Sequence, residues 1–585
     1  LLSNHGVKEA SISLPIDGFS TVTNIVARAV RVDGTVVEMR REAIRNSIGV
    51  ESNPTASQLG EVLFKIPGAQ AGGIIEYYYE RVYTEPDMVP VWVLGDRLPV
   101  LRSELSISSD PFVKFQYRFG RGSRLVDANP LRRSTEDGRD RLVFVENNLP
   151  VIQPELGSPH PAWLSPWVAV VVSSAQIGGR KYRMETWAHV GERIDFLANL
   201  LKADALPTTG SAEKRFETIR DQLNPVLVPG LGVLAPLTSE GIAEKKPICS
   251  RDAAAILVSA LRAAGEDAHI ALITGNSGPP VLDGFPGLYP FIRAVVAVDV
   301  HKRLAAEESC SGAPSKRSVL CSTAPHGYTF VDPLCKTCRF GELPNGLTGG
   351  RALILSSATP EWVDVPIDPP ERNFSVIEAD LDASLGGDLS GTLRIAAGGE
   401  PARRLQRTSS AADAKESQLT KIHHDFERSV GADSPMKLNR VKWASTGNEE
   451  ILEGESSMKS KFKKLAYDRF EVRARDLTGF AFPWKWRRLR HFPRVLEAPF
   501  WRQASATVRL PVGFVVDVRP PIELKNRFGE FSAAWRVEGN TIRYWRSFIL
   551  RRQVVLPHDW KDFHAFLADV RRTENQAVGI MRTPE

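Results

Sequence analysis

The chain has 585 residues, 42% of them hydrophobic and 25% charged, the balance of a soluble globular protein with material for several cores. Its net charge of +6 is thin over that length and does not mark a nucleic-acid-binding chain. No run of about 18 apolar residues occurs, which excludes a helical membrane span within this sequence. The start at Leu1 fits an export signal removed upstream.

Residues 1–180 read mainly as strands. Val22–Val32 alternates and ends at the Asp33-Gly34 turn, Val62–Ile66 ends at Pro67-Gly68, and Gly73–Tyr79 is rich in β-formers. Further strands are expected at Glu104–Ser108, Val113–Arg118 and Leu142–Glu146, with turn signals spaced as in a β-sandwich. Helical spacing begins at Trp187–Leu201 and recurs at Ala212–Leu223, where Ser211 and Glu213 open the helix. A short helix is expected at Ser239–Lys246. A longer one follows Cys249 and stops at Gly265. Strands then follow at Ala268–Thr274, Phe291–Val300, Tyr328–Val331 and Arg351–Leu355, so helices feeding an antiparallel sheet make an α+β core.

From Asn373 the pattern returns to strands: Phe374–Leu381, Gly391–Ala396, Lys437–Lys442, Phe470–Ala474, Gln503–Leu510, Phe514–Val518, Glu530–Val537 and Thr541–Leu550. Ala411–Val430 reads as a polar helix and Trp560–Arg572 as a final one. The fold class is therefore multi-domain and β-rich with one α+β domain. Its parts are an N-terminal β-sandwich over 1–180, the α+β core over 181–368, and a C-terminal β-sandwich region over 369–585 ending in a helix.

All five cysteines lie between Cys249 and Cys338. Cys335 and Cys338 form a C-x-x-C pair, and Cys310 and Cys321 flank a Gly/Pro/Ser segment. Two disulfides would fit an extracytoplasmic protein, and of three connectivities Cys310–Cys321 with Cys335–Cys338 is favoured. A four-cysteine zinc site is the alternative, although the second C-x-x-C usual in such sites is missing, so no metal or cofactor is expected. Either arrangement leaves Cys249 over. Near residue 484, Trp484, Trp486, Arg487, Arg488 and Arg490 interleave aromatic and basic side chains. They are candidates for a glycan- or envelope-binding surface, against the plainer reading of an ordinary strand or loop edge.

The order of Asp33-Gly34-Thr35-Val36-Val37, Gly73 to Tyr79, Cys249 to Gly265, Phe330-Val331-Asp332-Pro333, Phe340-Gly341-Glu342-Leu343-Pro344 and Leu510-Pro511-Val512-Gly513-Phe514 resembles a bacterial transglutaminase-like family. Members of that family carry an N-terminal β-sandwich domain of unknown function, a transglutaminase-like (papain-like) core and a β-rich C-terminal region. The resemblance implies a cysteine nucleophile at a helix N-terminus, a base on a following strand and a carboxylate to orient the base. It also implies an exported or periplasmic protein.

In register with the family's Gly-Asp-Cys-Lys-Asp-Lys-Ala, the nucleophile position is Ser250 and Cys249 precedes it. The family's His falls on Arg293, and its Asp on Asp332. Arg is not a base near neutral pH. Arg293 is therefore expected to pair with Asp332, and Ser250 to cap the helix. The expectation is a non-catalytic binding or scaffold component of a protein assembly, with other proteins as partners. The alternative is an active cysteine peptidase or acyltransferase using Cys249, for which His269, His301 and His326 lie in the same section.

Overall fold

The computed structural model describes the chain apart from residues 49–59, 200–208, 226–240, 300–326, 410–436, 479–488 and a scatter of shorter pieces. The helix expected at 411–430 lies outside the described residues, as does most of 239–242. The chain divides into two compact units. One comprises Leu1–Pro154, His160–Leu343 and Gly350–Val365; the other comprises Glu155–Pro159, Pro344–Gly349 and Pro366–Glu585. Both are β-rich, with several sheets.

In the first unit, the N-terminal strands alternate inward and outward, as period-two sequences dictate. Ser20–Val30 pairs with Ile74–Tyr83 and Val36–Glu38, and Ser11–Ile16 pairs with Gly60–Lys65. Ala27, Ala29, Val62, Phe64 and Ile66 bury a small core among them. A second group pairs Arg139–Leu149 with Val100–Ser109, and Val113–Arg121 with Pro166–Ile177.

The Pro166–Ile177 strand, absent from the expectations above, joins two cores. Trp167, Ala169 and Val171 lie in the core of the α+β region, whereas Val168 lies with Leu94, Phe119 and Phe144. A strand apolar on both faces shows no alternation, which is why its pattern gave no signal. Gly120 sits opposite Trp167, and a Cβ there would come within 2.2 Å of the indole. The Trp167 N–H donates instead to the Gly122 carbonyl at 2.9 Å.

The α+β region carries helices Trp187–Asn199, Ala212–Gln222 and Ser250–Arg262 over a five-stranded antiparallel sheet. Its strand order is Tyr328–Val331, Arg293–Asp299, Ala268–Ile273, Arg351–Leu355, Glu361–Asp364. The central strands are apolar along most of their length, and the Ser250 helix packs Ala253, Ala254, Leu257, Val258 and Leu261 into the same core. The two outer strands meet through a side chain: the Tyr328 hydroxyl donates to Glu361 at 3.2 Å. Flat, five strands would hold the outer two about 19 Å apart, so the sheet is strongly coiled.

The second unit is built on an eight-stranded sheet in which Phe374–Ala383 and Phe500–Arg509 run parallel at the centre. A four-stranded sheet and the helix Trp560–Asn575 complete its core, with Phe563, Phe566, Leu567 and Val570 turned inward. The last strand, Ala577–Arg582, returns to pair with Arg469–Arg473. Within this core the Tyr544 hydroxyl donates to Glu574 at 2.7 Å, and Arg546 lies 3.4 Å from the same carboxylate oxygen.

Burial raises the Glu574 carboxyl above its ordinary range, against the pull of Arg546 and Tyr544. An acid whose folded value is raised holds its proton more tightly when folded, so its contribution to stability is lost as pH rises. The stability difference between wild type and Glu574→Gln should therefore move in favour of the variant from about pH 4.5 upward. Urea unfolding of both proteins between pH 4 and 8 measures it.

Candidate functional site

The site is organised at the start of the Ser250–Arg262 helix. Cys249 is the N-cap residue in extended conformation, and its side chain makes no capping bond. Ser250 is the first helical residue rather than the cap. Its hydroxyl accepts from the backbone N–H of Ala294 at 3.2 Å, tying the helix to the neighbouring strand instead of to its own amides. The expected capping role is corrected accordingly: with Cys249 in the cap position, the Ser250 side chain points across to the sheet.

Cys249 is 1% exposed. A helix N-terminus favours a thiolate by at most about 2 kcal/mol, or some 1.5 pH units. Here the opposite tendency wins. Burial, reinforced by the Asp252 carboxylate, pushes the thiol up to about 12. Asp252 is itself buried with Arg251, whose guanidinium lies 2.6 Å away; both side chains are 1% exposed. Burial raises the Asp252 carboxyl, and Arg251 opposes that rise.

The strand beginning at Arg293 places that side chain against Asp332, which follows the Tyr328–Val331 strand. Arg293 Nη1 donates to Asp332 Oδ2 at 2.7 Å, and Asp332 is fully buried. The other carboxylate oxygen accepts from the Leu334 N–H at 2.9 Å. Ser250, Arg293 and Asp332 are thus drawn together, since Ser250 bonds the residue next to Arg293. Arg293 donates hydrogen bonds and accepts no proton near neutral pH, so it cannot fill the role of a histidine base.

Directly after Asp332, Cys335 and Cys338 form a disulfide. That bond consumes two of the four thiols required by the zinc alternative. Cys310 and Cys321 lie outside the described residues. The turn also makes contacts with no signature in the sequence. Lys336 Nζ donates to the carbonyls of Arg220, Asp221 and Leu223, at the end of the Ala212–Gln222 helix. Arg220 in turn donates to the Cys338 carbonyl at 2.8 Å. Those helix-end carbonyls have no partner within the helix, and an ammonium is a natural one.

His269 lies 2.9 Å from Asp267 and pairs across the sheet with Ala297, while Arg293 pairs with Ile273. Four residues along a strand is about 13 Å, so His269 sits at the far end from Arg293. His301 and His326 lie outside the described residues. Trp484, Trp486, Arg487 and Arg488 do as well. Arg490 is corrected: its side chain is 4% exposed, 3.2 Å from Glu155, and its guanidinium lies over the Trp560 ring at 5.2 Å. It serves the interior of the second unit and not a binding surface. Among the described residues, no group of three or more His, Cys, Asp or Glu is arranged to hold a metal ion, and no helix is long and apolar enough to cross a membrane.

Residues 1–153 match DUF3857 and residues 481–580 match DUF3858, each described as a domain of unknown function with a solved structure. No curated protein matches the sequence. The fold is similar to the crystal structure of a "putative protease" from Parabacteroides distasonis, at a TM-score of 0.62 and 14% identity, covering 99% of this chain and 94% of that one. That likeness is one of fold.

Removing Arg293 should leave the Asp332 carboxylate buried and uncompensated. Arg293→Met is expected to cost about 3–5 kcal/mol in denaturant unfolding. The double variant Arg293→Met/Asp332→Asn should recover most of that loss, because the amide keeps the Leu334 bond without the charge.

Proposed function

We propose that this chain is a transglutaminase-like protein that has given up turnover and acts as a binding or scaffold component of a protein assembly outside the cytoplasm. The observation that carries this reading is the Arg293–Asp332 ion pair, formed by the two residues that the family resemblance aligns with the His and carboxylate of a cysteine-enzyme triad. The state of the one free thiol among the described residues supports it. Burial pushes the Cys249 thiol up to about 12, which keeps it protonated through the neutral range. Ser250 supports it too, since its hydroxyl accepts from the Ala294 N–H and no His is bonded to it among the described residues. An extracytoplasmic setting agrees with the Cys335–Cys338 disulfide, and other proteins are the expected partners of the extensive sheets.

The competing reading is a cysteine peptidase or acyltransferase using Cys249, in keeping with the description of the Parabacteroides protein. The two are separated by assaying peptide cleavage and amine incorporation by the purified chain beside its Cys249→Ala variant. No activity above the variant is expected. Turnover that disappears in Cys249→Ala would overturn the proposal. A second measurement checks the cause: Cys249 in the native protein should alkylate more than 100-fold more slowly at pH 8 than in the urea-unfolded chain.

A further inference from the structure

The turn after Asp332 holds the start of the Ser250 helix from two directions. On one side, the Cys335 N–H donates to the Asp332 carbonyl at 3.2 Å and the Leu334 N–H to its carboxylate at 2.9 Å. Asp332 fixes Arg293, and the adjacent Ala294 N–H is bonded to Ser250. On the other side, Lys336 grips the end of the Ala212–Gln222 helix, and Phe340 packs edge-on against Phe216 of that helix. The chain leaving that helix, Asn224–Pro225, pairs in parallel with Pro247–Ile248, the residues that lead into Cys249. Both routes begin at the Cys335–Cys338 turn and end on residues 248–250.

We propose that the Cys335–Cys338 disulfide is a redox latch on the candidate site: closed, it keeps the Cys249 thiol shielded, and opened by an external dithiol, it releases the start of the Ser250 helix and uncovers that thiol. The chemistry balances as ordinary exchange. A thiolate of the dithiol attacks the Cys335 sulfur, since Cys335 is 9% exposed and Cys338 0%. Cys338 departs as a thiolate and takes up a proton. The second thiol of the reductant then displaces Cys335, so the dithiol leaves as a disulfide and the protein gains two electrons and two protons. With the bond open, the turn keeps its Lys336, Arg220 and Asp332 bonds and the Phe340–Phe216 contact, but its two ends are no longer covalently tied to each other. The proposal goes beyond the functional reading above, because it requires only that Cys249 become accessible and not that it turn over a substrate.

The experiment is alkylation of the full chain under native conditions, read by mass spectrometry on the peptide that carries Cys249. In Cys335→Ser/Cys338→Ser the rate at Cys249 should rise about 20-fold, the factor expected from the entropy of so short a closed loop. The rise should depend on urea much less steeply than global unfolding does, as a local opening requires. Lys336→Met, which keeps the disulfide but cuts one of the two routes, should give a smaller rise of about 5-fold on the same scale. Should the double variant not fold, wild-type protein in graded dithiothreitol gives the same readout. An unchanged Cys249 rate after disulfide opening would overturn the proposal, as would a rise that carries the full urea dependence of global unfolding.

Discussion

A carboxylate with no exposure needs an opposite charge within reach, and Asp332 obtains it from Arg293 at 2.7 Å. Much of the surrounding structure follows from that requirement. The Arg293 strand must lie beside the strand ending at Val331, the turn after Asp332 must close back on the carboxylate through Leu334, and the helix above must leave room for a guanidinium. Ser250 meets the last condition with a small side chain that bonds the sheet backbone. A histidine at position 293 would be a shorter group, leaving the carboxylate with a weaker and pH-dependent partner.

The same accounting applies to the Cys249 thiol. Helix termini lower thiol values by amounts that burial readily exceeds. Burial of the thiol dominates here, and the second buried pair, Arg251 with Asp252, does little to offset it. Its net charge is zero, so it adds little field to favour a thiolate, while the nearer carboxylate opposes one. Two ion pairs at one helix start make a rigid, neutral plug. Such arrangements are costly to disrupt from one side and tolerant of paired replacement.

How much of this was legible in the sequence depends on the reach of each interaction. Strands set off by flanking turn residues were readable: Tyr328–Val331, Arg351–Leu355 and Thr541–Leu550 have the bounds expected of them, and the last alternates between buried and more exposed positions. Pro166–Ile177 was not, since it serves a core on each face. The strands Glu361–Asp364 and Ala577–Arg582 were missed because segments of four and six residues are too short to show a clear period. At the site, the family resemblance picked out Ser250, Arg293 and Asp332, which the structure places on the helix and on two neighbouring strands or their ends. It was blind to Lys336, whose partners lie more than 110 residues away. Arg490 misled for the same reason: a basic residue among tryptophans looks solvated until Glu155 and Trp560 are seen around it.

The bond between Tyr328 and Glu361 carries a consequence of another kind. An open five-stranded sheet ordinarily presents two rows of unpaired amides and carbonyls, which invite other chains to add on. Coiling brings those two margins toward each other, and the phenol–carboxylate contact pins them there. Burial and the neighbouring carboxylates push the phenol up to about 12, so it remains a donor across any physiological pH. The contact thus draws together the two margins of the α+β sheet that would otherwise stand farthest apart.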